Sequence, residues 1–95
     1  MIRIVAKNVI KSEKIEEFIA LAKKLVEETN QKDEGCIHYE LYQDLANPQI
    51  LTIMEEWESQ AALENHMAAS HFKEIVPQFA DFAFSPGEVN IYKLI

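Results

Sequence analysis

The 95-residue sequence predicts one α+β domain over residues 1–95, an antiparallel sheet with strands and helices in the order βαββαβ. Two observations lead there. The apolar pattern switches repeatedly between the period of two that marks a strand and the 3.6-residue period of an amphipathic helix. No linker, internal repeat or low-complexity segment interrupts it.

Residues 2–10 alternate imperfectly, with Arg3 and Lys7 set among Ile2, Ile4, Val5, Ala6, Val9 and Ile10, and their β-branched content favours a strand. Asn8 is unexpected there, because Asn is depleted in strands. It either bonds a neighbouring backbone group or presents its amide to a ligand. From Ser12 the spacing of Ile15, Phe18, Ile19, Ala22, Leu25, Val26 and Thr29 marks one face of a helix ending near Asn30. Ser12 is its expected N-cap, and Glu13, Glu16 and Glu17 suit the positive end of the helix dipole. Asp33, Glu34 and Gly35 form a turn in which Gly35 can take a positive φ.

Residues 36–43 return to strand, with Cys36, His38, Glu40 and Tyr42 expected on one face and Ile37, Tyr39 and Leu41 on the other. Asp44 to Pro48 reads as a loop, so residues 49–57 form an antiparallel hairpin with the preceding strand. Their faces divide Ile50, Thr52, Met54 and Glu56 from Leu51, Ile53, Glu55 and Trp57, and both faces are expected to be covered. Ser59 caps a second helix through Leu63, His66 and Met67, with a pause at Ala69 and Ser70 before Phe72 to Val76. Pro77 kinks or ends that second piece. Pro86 and Gly87 mark a turn, and residues 89–95 alternate as the last strand.

Short connections and right-handed crossovers turn this order into a ferredoxin-like sheet with both helices on one face. The other face is left for a second copy of the chain, giving a homodimer of two facing sheets.

Charge narrows the function. A formal net charge of −7, with only nine scattered Lys and Arg, argues against nucleic acid as a partner. No run approaches the roughly 18 apolar residues of a membrane span. The opening MIRIVAKNVIK lacks the apolar core of a signal peptide, and Cys36 is the single cysteine, so a soluble, cytoplasmic protein is expected.

Candidate site residues cluster between Asp33 and Phe72, where Tyr39, Tyr42, Trp57, His38, His66 and His71 all lie. Trp57 can anchor the core, wall a pocket, or both. His66 can pair with an acid, and His71 at the helix restart can be structural or functional. Five residues apart, they are about 140° apart on a continuous helix and so poorly placed as joint metal ligands unless the helix breaks between them. With no HExxH and no cysteine pair, no metal is expected. Glu55 and Glu56 suggest one buried acid and one solvated one. Were Glu56 the buried acid, a raised pKa would suit it to proton transfer. A Cys36 nucleophile beside His38 is weighed against a small buried thiol, and Tyr92 against a core tyrosine. The GxGxxG, P-loop and GxSxG signatures are absent.

The run from Glu34 to Phe72, with Gly35 and Cys36, Tyr39 and Glu40, Asp44 to Pro48, Glu55 to Trp57, and Ala62 through Phe72, resembles the antibiotic biosynthesis monooxygenase domain family. The likeness extends to the Asn8 strand and the closing NIYKLI. It implies a dimeric α/β-barrel and, for some members, oxidation of small quinols or polyphenols by dioxygen without metal or flavin. His71, His66 or Glu56 would then serve as the base, and Asn8, Trp57 and Tyr92 as substrate-binding residues. Haem-degrading relatives are similar at Asn8 and Trp57, but this chain has Val76 where they carry a haem-ligating histidine. Other relatives process phosphorylated signalling sugars, which implies an isomerase-type alternative, and a non-catalytic ligand-binding dimer is a third reading.

Overall fold

The computed structural model describes all 95 residues. Strand β1 (Ile2–Ile10) leads through a 3-10 turn (Ser12–Lys14) into helix α1 (Ile15–Lys32). The hairpin β2 (Cys36–Gln43) and β3 (Ile50–Trp57) follows, then helices α2 (Gln60–Ala68) and α3 (Ser70–Ile75), a 3-10 segment (Val76–Phe82) and strand β4 (Ala83–Lys93). The four strands lie in the order β2-β3-β1-β4, every neighbouring pair antiparallel. This is the ferredoxin-like arrangement that short connections between these elements favour.

Strand parity decides which residues meet the helices. Along β3, Leu51, Ile53, Glu55 and Trp57 are buried, whereas Met54 on the opposite face is 42% exposed. The helix-facing residues build one core from Ile4, Leu25, Tyr39, Ile53, Trp57, Leu63 and Ile75, and a second from Ile10, Phe18, Ala22 and Leu51. The chain therefore covers one sheet face only. On the other face Met54, Tyr42 and Tyr92 are exposed in the single chain, so the chain itself encloses the strands on one side.

Four local expectations need correction. Ser12 does not cap α1: it opens the 3-10 turn, and its hydroxyl meets only Glu13 at 3.4 Å. Cys36 does not share a face with His38. Cys36 pairs with Trp57 and His38 with Glu56, so two steps on β2 match one on β3. The extra residue, Ile37, forms a bulge that turns Cys36 toward the core. Pro86 and Gly87 lie inside β4, where the register with β1 shifts between Lys7 and Val9. An edge strand tolerates a proline because the missing N–H removes no central ladder bond. The closing strand thus begins at Ala83 and ends at Lys93.

Two features place the site. Gly35 has φ +78°, and a Cβ there would lie 2.6 Å from the Ala62 Cβ. Its bare backbone lets the turn after α1 lie against α2, and the Gly35 carbonyl accepts from the Glu58 N–H at 2.9 Å. Between α2 and α3, Ala69 is extended, with φ −69° and ψ 148°, which breaks the helix between His66 and His71. Ser59 caps α2 as its sequence suggests, accepting from the Ala62 N–H at 3.1 Å.

Candidate active site

The break at Ala69 and the turn at Gly35 bring three distant side chains together. His66 Nδ1 lies 2.6 Å and His71 Nε2 2.9 Å from the same oxygen, Oδ2 of Asp33. The three side chains are 1%, 6% and 9% exposed. A carboxylate can only accept, so each ring nitrogen facing it carries the hydrogen. Neutral His66 then has its lone pair on Nε2. That atom is buried and has no hydrogen-bond partner.

Burial lowers the His66 pKa, because it disfavours the charged ring more than Asp33 favours it. The ring is wedged among aromatic groups, with its centroid 4.6 Å from Trp57, 5.0 Å from Phe72 and 5.1 Å from Tyr39. The possible metal-ligand atoms of Asp33, His66 and His71 lie within 4.8 Å of one another. Their 2.6 and 2.9 Å contacts to one oxygen are hydrogen-bond lengths.

Beside this cluster a cavity of about 160 Å3 opens between sheet and helices. Its wall is mainly hydrocarbon, including Ile4, Ile53, Leu63 and Phe79, and its polar residues are Asn8, Tyr39, Glu55 and His66. No Lys or Arg lines it. Glu55 is 8% exposed, and the Trp57 indole N–H donates to its Oε1 at 2.9 Å. Desolvation raises the Glu55 pKa to about 7, and the Trp57 bond opposes the rise. Burial, with Asp33 and Glu55 nearby, also pushes the Cys36 thiol up to about 11, which leaves it a poor nucleophile.

The sequence-selected residues separate. His66 and Asn8 line the cavity, and the Asn8 amide reaches only the Ala6 carbonyl, at 3.4 Å. Trp57 lies fully buried behind the wall, and His71 reaches the site through Asp33. Glu56 is on the opposite sheet face, paired with Arg3 at 2.7 Å, and Tyr92 is exposed in a concavity on that side. Parity along β3 is the reason: the acid that shares a face with Trp57 is Glu55. Asp33, treated in the sequence as a turn residue, gave no signal of its role, since its partners lie 33 and 38 residues away.

The sequence model for "Antibiotic biosynthesis monooxygenase" matches residues 1–78. The chain belongs to this family. A solved structure of an antibiotic biosynthesis monooxygenase is 32% identical, covers 100% of this chain and 99% of its own, and superimposes with a TM-score of 0.92. A conserved protein from Methanosarcina mazei Go1 is 50% identical over 97% of this chain and 90% of its own, also with a TM-score of 0.92. An uncharacterised protein of Synechocystis, sll1783, is 36% identical over 96% of this chain, which spans 62% of that protein's length. Membership in the antibiotic biosynthesis monooxygenase family agrees with the ferredoxin-like fold. No helix is long and apolar enough to cross a membrane.

Proposed function

We propose that the protein is a cofactor-independent monooxygenase that oxidises a small quinol or polyphenol with dioxygen, and that His66 takes the phenolic proton. The observation that carries this reading is the unpartnered, buried Nε2 of a histidine fixed by Asp33 at the edge of an apolar cavity. A buried acceptor without a donor is costly, and a ligand hydroxyl would satisfy it. Such contacts often tighten only when substrate is bound.

The chemistry then belongs to the substrate. Proton transfer to Nε2 leaves a phenolate, and the hydrocarbon wall withholds the water that would stabilise it. The electron-rich ring reduces dioxygen, a ring carbon forms a bond to oxygen, and the O–O bond breaks. One oxygen atom remains as a new carbonyl and the other leaves as water with the ring C–H and O–H hydrogens. All four electrons come from the substrate, so no reductant is required. His71 positions Asp33 from the other side, Asn8 offers a polar contact, and Trp57 supports the ring of His66.

The missing cations disfavour the phosphorylated-sugar alternative, since a phosphate would need Lys or Arg at the cavity. Val76 lines the cavity with hydrocarbon, which supports the reading over haem breakdown. The working unit is proposed to be a homodimer joined through the sheet face that carries Met54, Tyr42 and Tyr92, and light scattering at about 11 kDa would exclude it.

The test is oxygen uptake by metal-stripped protein with a panel of small quinols. Uptake that persists without metal and falls by about 10²-fold or more in folded His66→Gln supports the reading. Absence of uptake with every quinol overturns it.

A further inference from the structure

The cavity holds a second polar group for which the proton acceptor gives no role. Glu55 sits in the sheet floor with its strand neighbours Ile4 on β1 and Tyr39 on β2, so no cation flanks it across the sheet. Trp57 engages its Oε1, and no donor from the protein reaches Oε2. An ionised carboxylate in such hydrocarbon surroundings would be left with one hydrogen bond, whereas a carboxylic acid carries a proton it can give to a ligand.

We infer that Glu55 is a ligand-binding residue which, as the neutral acid, donates a hydrogen bond from Oε2 to a carbonyl or phenolic oxygen of a one-ring aromatic ligand. Size supports the ring: a 160 Å3 space is on the scale of an engineered apolar cavity that takes up benzene. Charge supports the donor, since no Lys or Arg lines the cavity to serve instead. Geometry supports fixed placement, because the indole of Trp57 holds Oε1 at 2.9 Å while its ring lies 4.6 Å from that of His66. One buried residue thus sets both polar groups: Glu55 as donor and His66 as acceptor. A ligand that satisfies both carries one oxygen that accepts and one hydroxyl that gives up a proton, as a dihydroxy-aromatic or hydroxy-ketone does.

Glu55 titrates near neutrality, which makes the donor sensitive to pH. The titratable groups near it are Tyr39 and Cys36 on β2, Asp33 after α1 and His66 on α2. Burial raises the Tyr39 and Cys36 pKa values and lowers that of His66, whereas it brings that of Glu55 up to about 7. The inference concerns the same cavity as the proposed oxygenation, but the hydrogen bond from Glu55 depends neither on oxygen nor on proton transfer to His66.

Acetophenone and ethylbenzene test it, because they have the same size and only the first has an acceptor. Binding is measured by the fluorescence of Trp57, the single tryptophan of the chain. At pH 5.5 the wild type should bind acetophenone about three- to tenfold more tightly than ethylbenzene. The advantage should vanish at pH 8.5 and in Glu55→Leu. It should persist at both pH values in Glu55→Gln, whose amide can donate but does not ionise. Thermal melting checks that each variant is folded. Equal affinity for the two compounds at pH 5.5, no binding of either, or an unchanged pH dependence in folded Glu55→Gln would overturn the inference. Failure of quinol oxygenation alone would leave it standing.

Discussion

The indole N–H of Trp57 is bonded at 2.9 Å to Oε1 of Glu55, two residues away on the same face of β3, and both side chains are buried. The bond opposes the desolvation that raises the carboxyl pKa. Trp57→Phe removes the donor but keeps an aromatic ring. Its expected cost is about 1–3 kcal/mol, the usual penalty for leaving a buried group unsatisfied. The Glu55 titration should move further up, which urea unfolding at a series of pH values would show.

A raised Glu55 pKa also predicts a pH dependence of stability. The folded protein holds this proton up to about pH 7, whereas the unfolded chain loses it near the usual 4.5. Stability is therefore fully present below pH 4.5 and falls as pH rises toward 7, by on the order of 3 kcal/mol. Glu55→Gln should abolish that decline, so the wild type minus variant difference should change between pH 4.5 and 7 and be flat above. A flat difference throughout would contradict burial of an ionisable Glu55.

Asp33 should matter to both stability and rate. Asp33→Ala strands two buried N–H donors and should cost about 2–4 kcal/mol. Asp33→Asn keeps one acceptor, and folded Asp33→Asn should lose quinol oxidation on the order of 10-fold or more, through the orientation of His66. Oxygen electrode traces on the melted-and-checked variant decide this; full activity would release Asp33 from the site.

Because burial lowers the His66 pKa and raises that of Glu55, kcat/KM for quinol oxidation should be bell-shaped. The acid limb should lie below the ordinary histidine value near 6.5, where His66 charges, and the alkaline limb near 7, where Glu55 ionises. Glu55→Gln should remove the alkaline limb only.

Gly35→Ala joins two penalties. It puts a side chain at φ +78° and a Cβ 2.6 Å from that of Ala62. The turn must retreat from α2, taking Asp33 with it. The expected loss is about 1–3 kcal/mol or more, measured by chemical unfolding, accompanied by loss of the His66 contact visible in the imidazole NMR signals.

Much of the fold could be read from short-range pattern. The periods of two and 3.6 located four strands and the helices, the pause at Ala69 and Ser70 was legible from the polar and small residues there, and Gly35 announced its positive φ. Parity even carried the key to the site: Trp57 and Glu55 share a face, and Glu56 lies on the opposite one. The Pro86–Gly87 bulge and the Ile37 bulge were not legible, because a register shift depends on the partner strand and not on the bulged residues alone.

By itself the sequence determined the order of elements, the two faces of β3, and the likeness to a family, since these follow from neighbours a few residues apart. Only the tertiary structure decided that Asp33 holds both His66 and His71, and that Glu56 turns away to Arg3. Hydrogen bonds of this kind join residues separated by 33, 38 and 53 positions. Their partners are fixed by how helices pack on a twisted sheet, and periodicity along the chain contains no such distance.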